Sequence, residues 1–140
     1  MTPFKSIRLD GFLSFQPGTP ALDLQSLNIL IGPNGSGKSN VIEAFRLLQA
    51  APRDIQQQIV RGGGTDEWIW KGDHPSVRTA RIRTIVAETE HSFLVEKLLD
   101  YEIELHTPPW DPIVETIRDT HVTSQKVVAG AEGARLGVRQ

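Results

Sequence analysis

The chain has 140 residues, with 15 Lys and Arg against 17 Asp and Glu, so its formal net charge is −2. This length has room for one small domain, and the balanced charge excludes a global basic field for nucleic acid or an anionic membrane. Cysteine is absent, which excludes disulfides, thiolate metal sites and a cysteine nucleophile and favours a reducing, cytoplasmic setting. The apolar runs are far shorter than the roughly 20 residues that span a bilayer, so no membrane segment is predicted.

The N-terminal stretch predicts two strands. In "FKSIRLDGFLSF", Ile7 and Leu9 alternate with polar residues, which indicates a half-buried strand that is interrupted at Gly11. After a connector with two prolines, Leu22 and Leu24 alternate in the same way and predict a short second strand.

The next segment predicts a strand that runs into a helix. "LNILI", residues 27–31, is apolar on both faces, as expected of a strand buried in the middle of a sheet. From Lys38 to Ala51 the apolar residues recur at helical spacing, and Pro52 ends the pattern. A glycine-rich turn joins this strand to this helix.

The rest of the chain changes to a β-rich texture. "RDIQQQIV" is consistent with a second short helix, and "RGGGTDEW" predicts a loop because three consecutive glycines lose too much backbone entropy in regular structure. "VRTARIRTIV" and "YEIEL" predict antiparallel strands. Glu115 and Asp119 are expected on a solvated helix face. We expect one lobe over residues 1–122 and a disordered or irregular tail over 123–140.

The turn itself carries the chemistry. "GPNGSGKS" matches G-x-x-x-x-G-K-[ST], the phosphate-binding loop. Glycines at 32, 35 and 37 let the backbone wrap a polyphosphate closely, and the following helix N-terminus offers N–H groups and its positive dipole end. Lys38 adds a full positive charge. Ser39 offers a hydroxyl to Mg²⁺, which keeps most of its waters. The alternative, a turn whose glycines serve only geometry, is much weaker because strand, loop and helix occur together.

The opening strand, the phosphate loop and the helix "VIEAFRLL" together resemble the N-terminal lobe of the ABC-type ATPase heads of RecF, SMC and related bacterial AAA-type ATPases. The resemblance covers residues 4–106. It implies an α/β fold with α+β character, in which a buried strand–loop–helix unit joins an antiparallel β portion. It also implies binding of ATP and Mg²⁺. The residues implied to bind the nucleotide are Gly32, Asn34, Gly35, Ser36, Gly37, Lys38, Ser39 and Asn40, with Ser39 as the Mg²⁺ ligand.

The resemblance also defines what hydrolysis by this class needs. An apolar strand ending in Asp and followed by Glu is required to orient water, and "FLVEKLLDYE" with Asp100 only imitates it. "RGGG" lies too close behind the phosphate loop to be the signature sequence of the family. Gln125, or one of the glutamines at 56–58, is a weak candidate for a Mg²⁺ contact. Arg53 or Arg61 is a weak candidate for an arginine directed toward nucleotide or DNA.

The sequence is therefore interpreted as the phosphate-loop half of an ATPase head, either truncated or separated from its second lobe. It is expected to bind ATP with Mg²⁺, to need a second lobe or a homodimer partner, to reach DNA only in the complete assembly, and to hydrolyse ATP poorly alone. Two alternatives stay open. A small P-loop phosphotransferase predicts further parallel strands, and a degenerate non-catalytic fragment predicts no nucleotide binding. A half-head is also expected to self-associate through exposed sheet edges and apolar patches.

Overall fold

The computed structural model describes residues 4–73, 78–90, 95–107, 113–119 and 122–129. In chain order, these residues form strands and helices with the following bounds: β1 (Phe4–Asp10), β2 (Leu22–Asp23), α1 (Lys38–Ala50), α2 (Ile55–Arg61), β3 (Thr79–Glu90), β4 (Val95–His106), β5 (Ile113–Asp119) and β6 (Val122–Ala129). Among the described residues, no helix combines the length and the apolar character needed to cross a membrane.

The strands form one six-stranded sheet in the order β2-β1-β3-β4-β5-β6, and every pair of neighbours is antiparallel. The predictions of two N-terminal strands and of antiparallel strands after the helices are thus confirmed. Neighbours in sequence are mostly neighbours in the sheet, as short antiparallel connections allow. The exception is β1, which pairs with β3 across the helical segment and so brings the helices onto the sheet.

The core lies where the helices meet one face of this sheet. Ile82, Ile103 and Leu105 on β3 and β4 are fully buried, and their period-two spacing puts them on one face. α1 contributes Ala44 and Leu47, which are also fully buried. Burying each large aliphatic side chain stabilises the fold by about 1.5–3 kcal/mol, so this shared cluster fixes α1 on the sheet.

Both helices begin and end close to the predicted bounds. Pro52 lies two residues beyond the last residue of α1, where its ring and missing N–H disfavour further helix. Asp54 is the N-cap of α2, and its carboxylate accepts a hydrogen bond from Gln57 N at 2.9 Å. This is a standard N-cap that satisfies one of the free N–H groups of the first turn. The predicted short helix is thus confirmed.

Asp100 lies on β4 and is held by an ion pair. Arg83 on β3 donates two hydrogen bonds to it, from Nε to Oδ1 at 2.8 Å and from Nη2 to Oδ2. The hydrogen bond to Asp100 is the main cause that raises the pKa of Arg83 above its ordinary value. Because its pKa is raised, the Arg83 guanidinium stays charged up to strongly alkaline pH. Asp100 therefore has a structural partner, which agrees with its interpretation as an ordinary strand residue.

The prediction of a buried strand at 27–31 is wrong. These residues form no strand, and Leu27, Ile29 and Ile31 are 77%, 73% and 91% exposed. A buried strand needs neighbours on both sides to pair its N–H and C=O groups. In the described part of the chain, every strand is already paired elsewhere in the antiparallel sheet. The described residues therefore supply no strands that could cover this apolar segment on both sides.

Two further predictions need correction. Residues 113–119, expected on a helix, form β5, because pairing with β4 overrides the weak helical pattern. The irregular tail expected from residue 123 does not hold for its beginning, since residues up to Ala129 form β6 against β5. Residues 130–140 lie outside the described part, and the domain boundary at residue 122 stays a prediction.

The exposed segment 27–31 leads to a testable expectation about association. Replacing Ile29 and Ile31 together by Ser removes two large apolar side chains from the surface and should reduce self-association of the chain, measured as mass by light scattering. Val60→Ser is the matched control, because Val60 is also 68% exposed but lies on α2. A monomeric wild-type chain with a cooperative melt would contradict this expectation.

Candidate nucleotide-binding site

The phosphate loop, residues 32–39, runs directly into the first turn of α1. Gly37 is the N-cap of the helix, and its carbonyl accepts hydrogen bonds from Asn40 N at 3.0 Å and Val41 N at 3.2 Å. No side chain caps this helix end. The first N–H groups of a helix have no partner inside the helix, so this end offers donors and a positive dipole to an anion.

The charged ammonium group of Lys38 is hydrogen-bonded to the loop. Its Nζ donates hydrogen bonds to the carbonyl oxygens of Gly32 and Pro33, both at 2.6 Å, and to Ser36 Oγ at 3.2 Å. Ser36 N in turn donates to Pro33 O at 3.2 Å and closes the turn. The ammonium is thereby fixed among the loop residues on the exposed side of the helix start. The loop thus carries a positive charge at the start of α1, next to the unpaired N–H groups of the first turn.

Two glycines of the loop need their backbone freedom. Gly35 and Gly37 have φ values of +82° and +91°, in the left-handed region that side chains disfavour. At Gly37 a Cβ would also lie 2.8 Å from Ser14 Oγ and 3.3 Å from Phe15 Cζ. The segment after β1 therefore approaches the helix start so closely that only glycine fits there.

Asn40, expected as a nucleotide-binding residue, has a different partner in this structure. Its Nδ2 donates a hydrogen bond to Ser14 Oγ at 2.8 Å. Ser14 was not predicted from the sequence, because no pattern in "GFLSF" marks a contact with a helix residue 26 positions further along the chain. The other predicted binding residues, Asn34 among them, lie together on the loop, and their role in binding stays a prediction.

Ser39, in the first turn of α1, offers an exposed hydroxyl oxygen to a Mg²⁺ ion. Among the described residues there is no group of three or more His, Cys, Asp or Glu that could hold a metal ion. Mg²⁺ is commonly bound by one or two protein ligands together with waters and substrate phosphates. The residues present thus fit a Mg²⁺ ion that arrives with a polyphosphate.

Arg53, one of the weaker candidates, is not brought to the loop. Arg53 follows the C-terminal end of α1, and a helix of 13 residues is about 20 Å long, so Arg53 lies at the opposite end from Lys38. There it lines a polar cleft with Gln57 and Gln58. Arg61 ends α2 and is exposed. Gln125 lies on β6, and its side chain lies outside the described residues.

The three glycines of "RGGG" form a loop, as predicted, whereas Arg61 ends α2 and Thr65–Glu67 form a short 3-10 helix. Gly62 follows α2, and a Cβ on it would lie 2.5 Å from the ring of Trp68. Gly63 and Gly64 have φ values of +99° and +95°. These glycines turn the chain tightly under the Trp68 ring, which is a structural role.

Comparisons with known proteins show what the part of the chain around the loop is similar to. Residues 27–81 match the family profile described as "AAA domain, putative AbiEii toxin, Type IV TA system". The chain is 38% identical over 69 residues to the chromosome partition protein Smc of Cereibacter sphaeroides and 50% identical over 68 residues to that of Desulfitobacterium hafniense. Each match covers 49% of this chain. About half of this chain is homologous to the N-terminal phosphate-loop ATPase head region of SMC-like proteins.

The solved structures agree on the fold of this SMC-like head region. A chain described under "Structural biochemistry of ATP-driven dimerization and DNA stimulated activation of SMC ATPases" superposes with a TM-score of 0.62 at 16% identity. The match covers 84% of this chain and 69% of that chain. The mixed α/β fold with an antiparallel sheet is thus that of an SMC ATPase head. This chain spans only 6% and 5% of the length of the two Smc relatives above.

Proposed function

We propose that this SMC-like head region binds ATP with Mg²⁺ through residues 32–39, as one part of an ATPase. The observation that carries the proposal is the placement of the Lys38 ammonium among the loop carbonyls at the uncapped start of α1. In the proposed complex, the loop and first-turn N–H groups bind phosphate oxygens, Lys38 neutralises charge near the β and γ phosphates, and Ser39 binds Mg²⁺.

Efficient hydrolysis needs groups from outside the described residues. Catalysis of phosphoryl transfer depends on positioning the attacking water and stabilising charge, usually with an acidic residue near the metal. The best imitation in this chain, Asp100, is buried on β4 and bonded to Arg83. We therefore assign water positioning to a second lobe or to a second head, which would also complete the surface around residues 27–31.

The phosphotransferase alternative lacks structural support. A compact P-loop kinase builds its core from parallel strands alternating with helices. Every strand pair among the described residues is antiparallel. A head that dimerises with ATP and acts on DNA is the better proposal, because the solved chain with this fold is described by ATP-driven dimerisation and DNA-stimulated activation.

The proposal is tested by measuring Mg·ATP binding by calorimetry and phosphate release in the same preparation of the full chain. We expect binding with phosphate release no faster than in buffer. Absence of binding would favour a degenerate fragment over the proposed function. Phosphate release that exceeds the buffer rate would show that the chain carries its own water-positioning group, and Asp100→Asn would be the first variant to examine.

A further inference from the structure

A short segment that follows β1 reaches the start of α1 and is not part of the phosphate-loop motif. This segment, Gly11–Phe15, is called the bracket below. The bracket approaches the helix start at two points. Ser14 Oγ accepts a hydrogen bond from Asn40 Nδ2 at 2.8 Å, and Ser14 and Phe15 occupy the space that a Cβ on Gly37 would need. Gly37 and Asn40 are the N-cap and the third residue of α1. The bracket therefore holds the turn of backbone whose N–H groups would face a phosphate in the proposed complex.

The bracket is itself held rigidly from the other side. Leu13 N donates to Trp68 O at 2.9 Å, and Trp70 N donates to Gly11 O at 2.8 Å. The Phe12 ring stacks on the Trp68 ring at a centroid distance of 5.9 Å, and both side chains are buried. Leu13 has a φ of +49°, in the left-handed region, which a non-glycine residue keeps only where its surroundings fix it.

We propose that Ser14 is a positioning residue for nucleotide binding, which acts by fixing Asn40 and thereby the first turn of α1. This inference rests on the proposed function of the loop. Without the Ser14 hydroxyl, the Asn40 amide loses its acceptor and the helix start gains freedom that a bound phosphate must then remove. A neutral hydrogen bond contributes about 0.5–1.5 kcal/mol, which corresponds to a weakening of ATP binding by about two- to tenfold.

A double-mutant cycle in the full chain tests the proposal. The dissociation constant of Mg·ATP is measured by calorimetry for the wild type, Ser14→Ala, Asn40→Ala and the double variant. We expect each single variant to raise the dissociation constant about two- to tenfold and the double variant to raise it no further, because both residues act through one hydrogen bond. Melting temperatures should stay close to the wild-type value, since the Ser14–Asn40 bond is exposed.

Two controls keep the outcomes distinct. Thr19→Val also removes one hydroxyl from the connector after β1, where Thr19 Oγ1 donates locally to Gln16 O, and it should leave ATP affinity unchanged. Lys38→Ala should weaken binding by about ten- to a hundredfold or more if the loop is the site. Unchanged affinity in Ser14→Ala, or additive losses in the double variant, would overturn the positioning role. Absence of binding by the wild type would instead overturn the proposed function.

Discussion

Lys38→Ala should weaken Mg·ATP binding by about ten- to a hundredfold or more, while the melting temperature changes little. Hydrogen bonds that involve a charged partner are worth about 1.5–3 kcal/mol each, and about 1.4 kcal/mol corresponds to a factor of ten in affinity. Lys38 is the residue that brings a full positive charge into the loop, through its bonds to Gly32 O and Pro33 O. Calorimetric titration of the full chain with Mg·ATP measures this loss.

The control for this variant is Lys71→Ala. Lys71 is exposed and pairs with Glu67 at 2.7 Å on the surface, so its removal changes the net charge by the same amount without touching the loop. Its ATP affinity should equal that of the wild type, because exposed ion pairs contribute little and distant charges are screened by salt. Equal affinities in Lys38→Ala and Lys71→Ala would mean that the loop does not bind the phosphates.

The loop could be predicted from the sequence because its chemistry is local. The glycines, the lysine and the start of the helix all lie within the eight residues of G-x-x-x-x-G-K-S, so the sequence alone brings them together. The residues that support the loop could not be predicted in this way. Ser14 is bonded to Asn40, 26 residues further along the chain, and Leu13 N is bonded to Trp68 O. Both contacts join residues that are distant in sequence, so no local pattern marks them.

The error at residues 27–31 has a different origin. A segment that is apolar on both faces is predicted to be buried. It is buried only if other strands pair with it, and a local sequence pattern does not show whether those strands are present. The same limit applied to β5 and β6, where pairing with neighbouring strands decided the conformation and local spacing did not. Local patterns thus predicted both helices and the strands β1 to β4. They failed at residues 27–31 and in β5 and β6, where the outcome depended on pairing with other strands.

Phe12→Ala should lower the free energy of unfolding by about 3–5 kcal/mol, the range observed when a buried aromatic ring is truncated. Phe12 is fully buried and stacks on Trp68, so the truncation leaves a cavity beneath the bracket. Since small domains are stable by only about 5–15 kcal/mol, this is a large part of the total. Urea denaturation followed by tryptophan fluorescence measures the change, and Val60→Ala at an exposed site should stay within about 0.5 kcal/mol of the wild type.

This variant also separates stability from binding, because the bracket lies between the core and the phosphate loop. Phe12→Ala should reduce stability strongly, whereas Ser14→Ala, only two residues away, should reduce ATP affinity at nearly unchanged stability. The difference follows from what each side chain contacts: Phe12 faces the buried Trp68 ring, and Ser14 faces Asn40 at the helix start. An unfolding free energy of Phe12→Ala within about 1 kcal/mol of the wild type would show that the ring is not anchored in the core, since truncation of a buried ring costs more than this. The bracket would then lack the rigid support from which Ser14 is proposed to position α1.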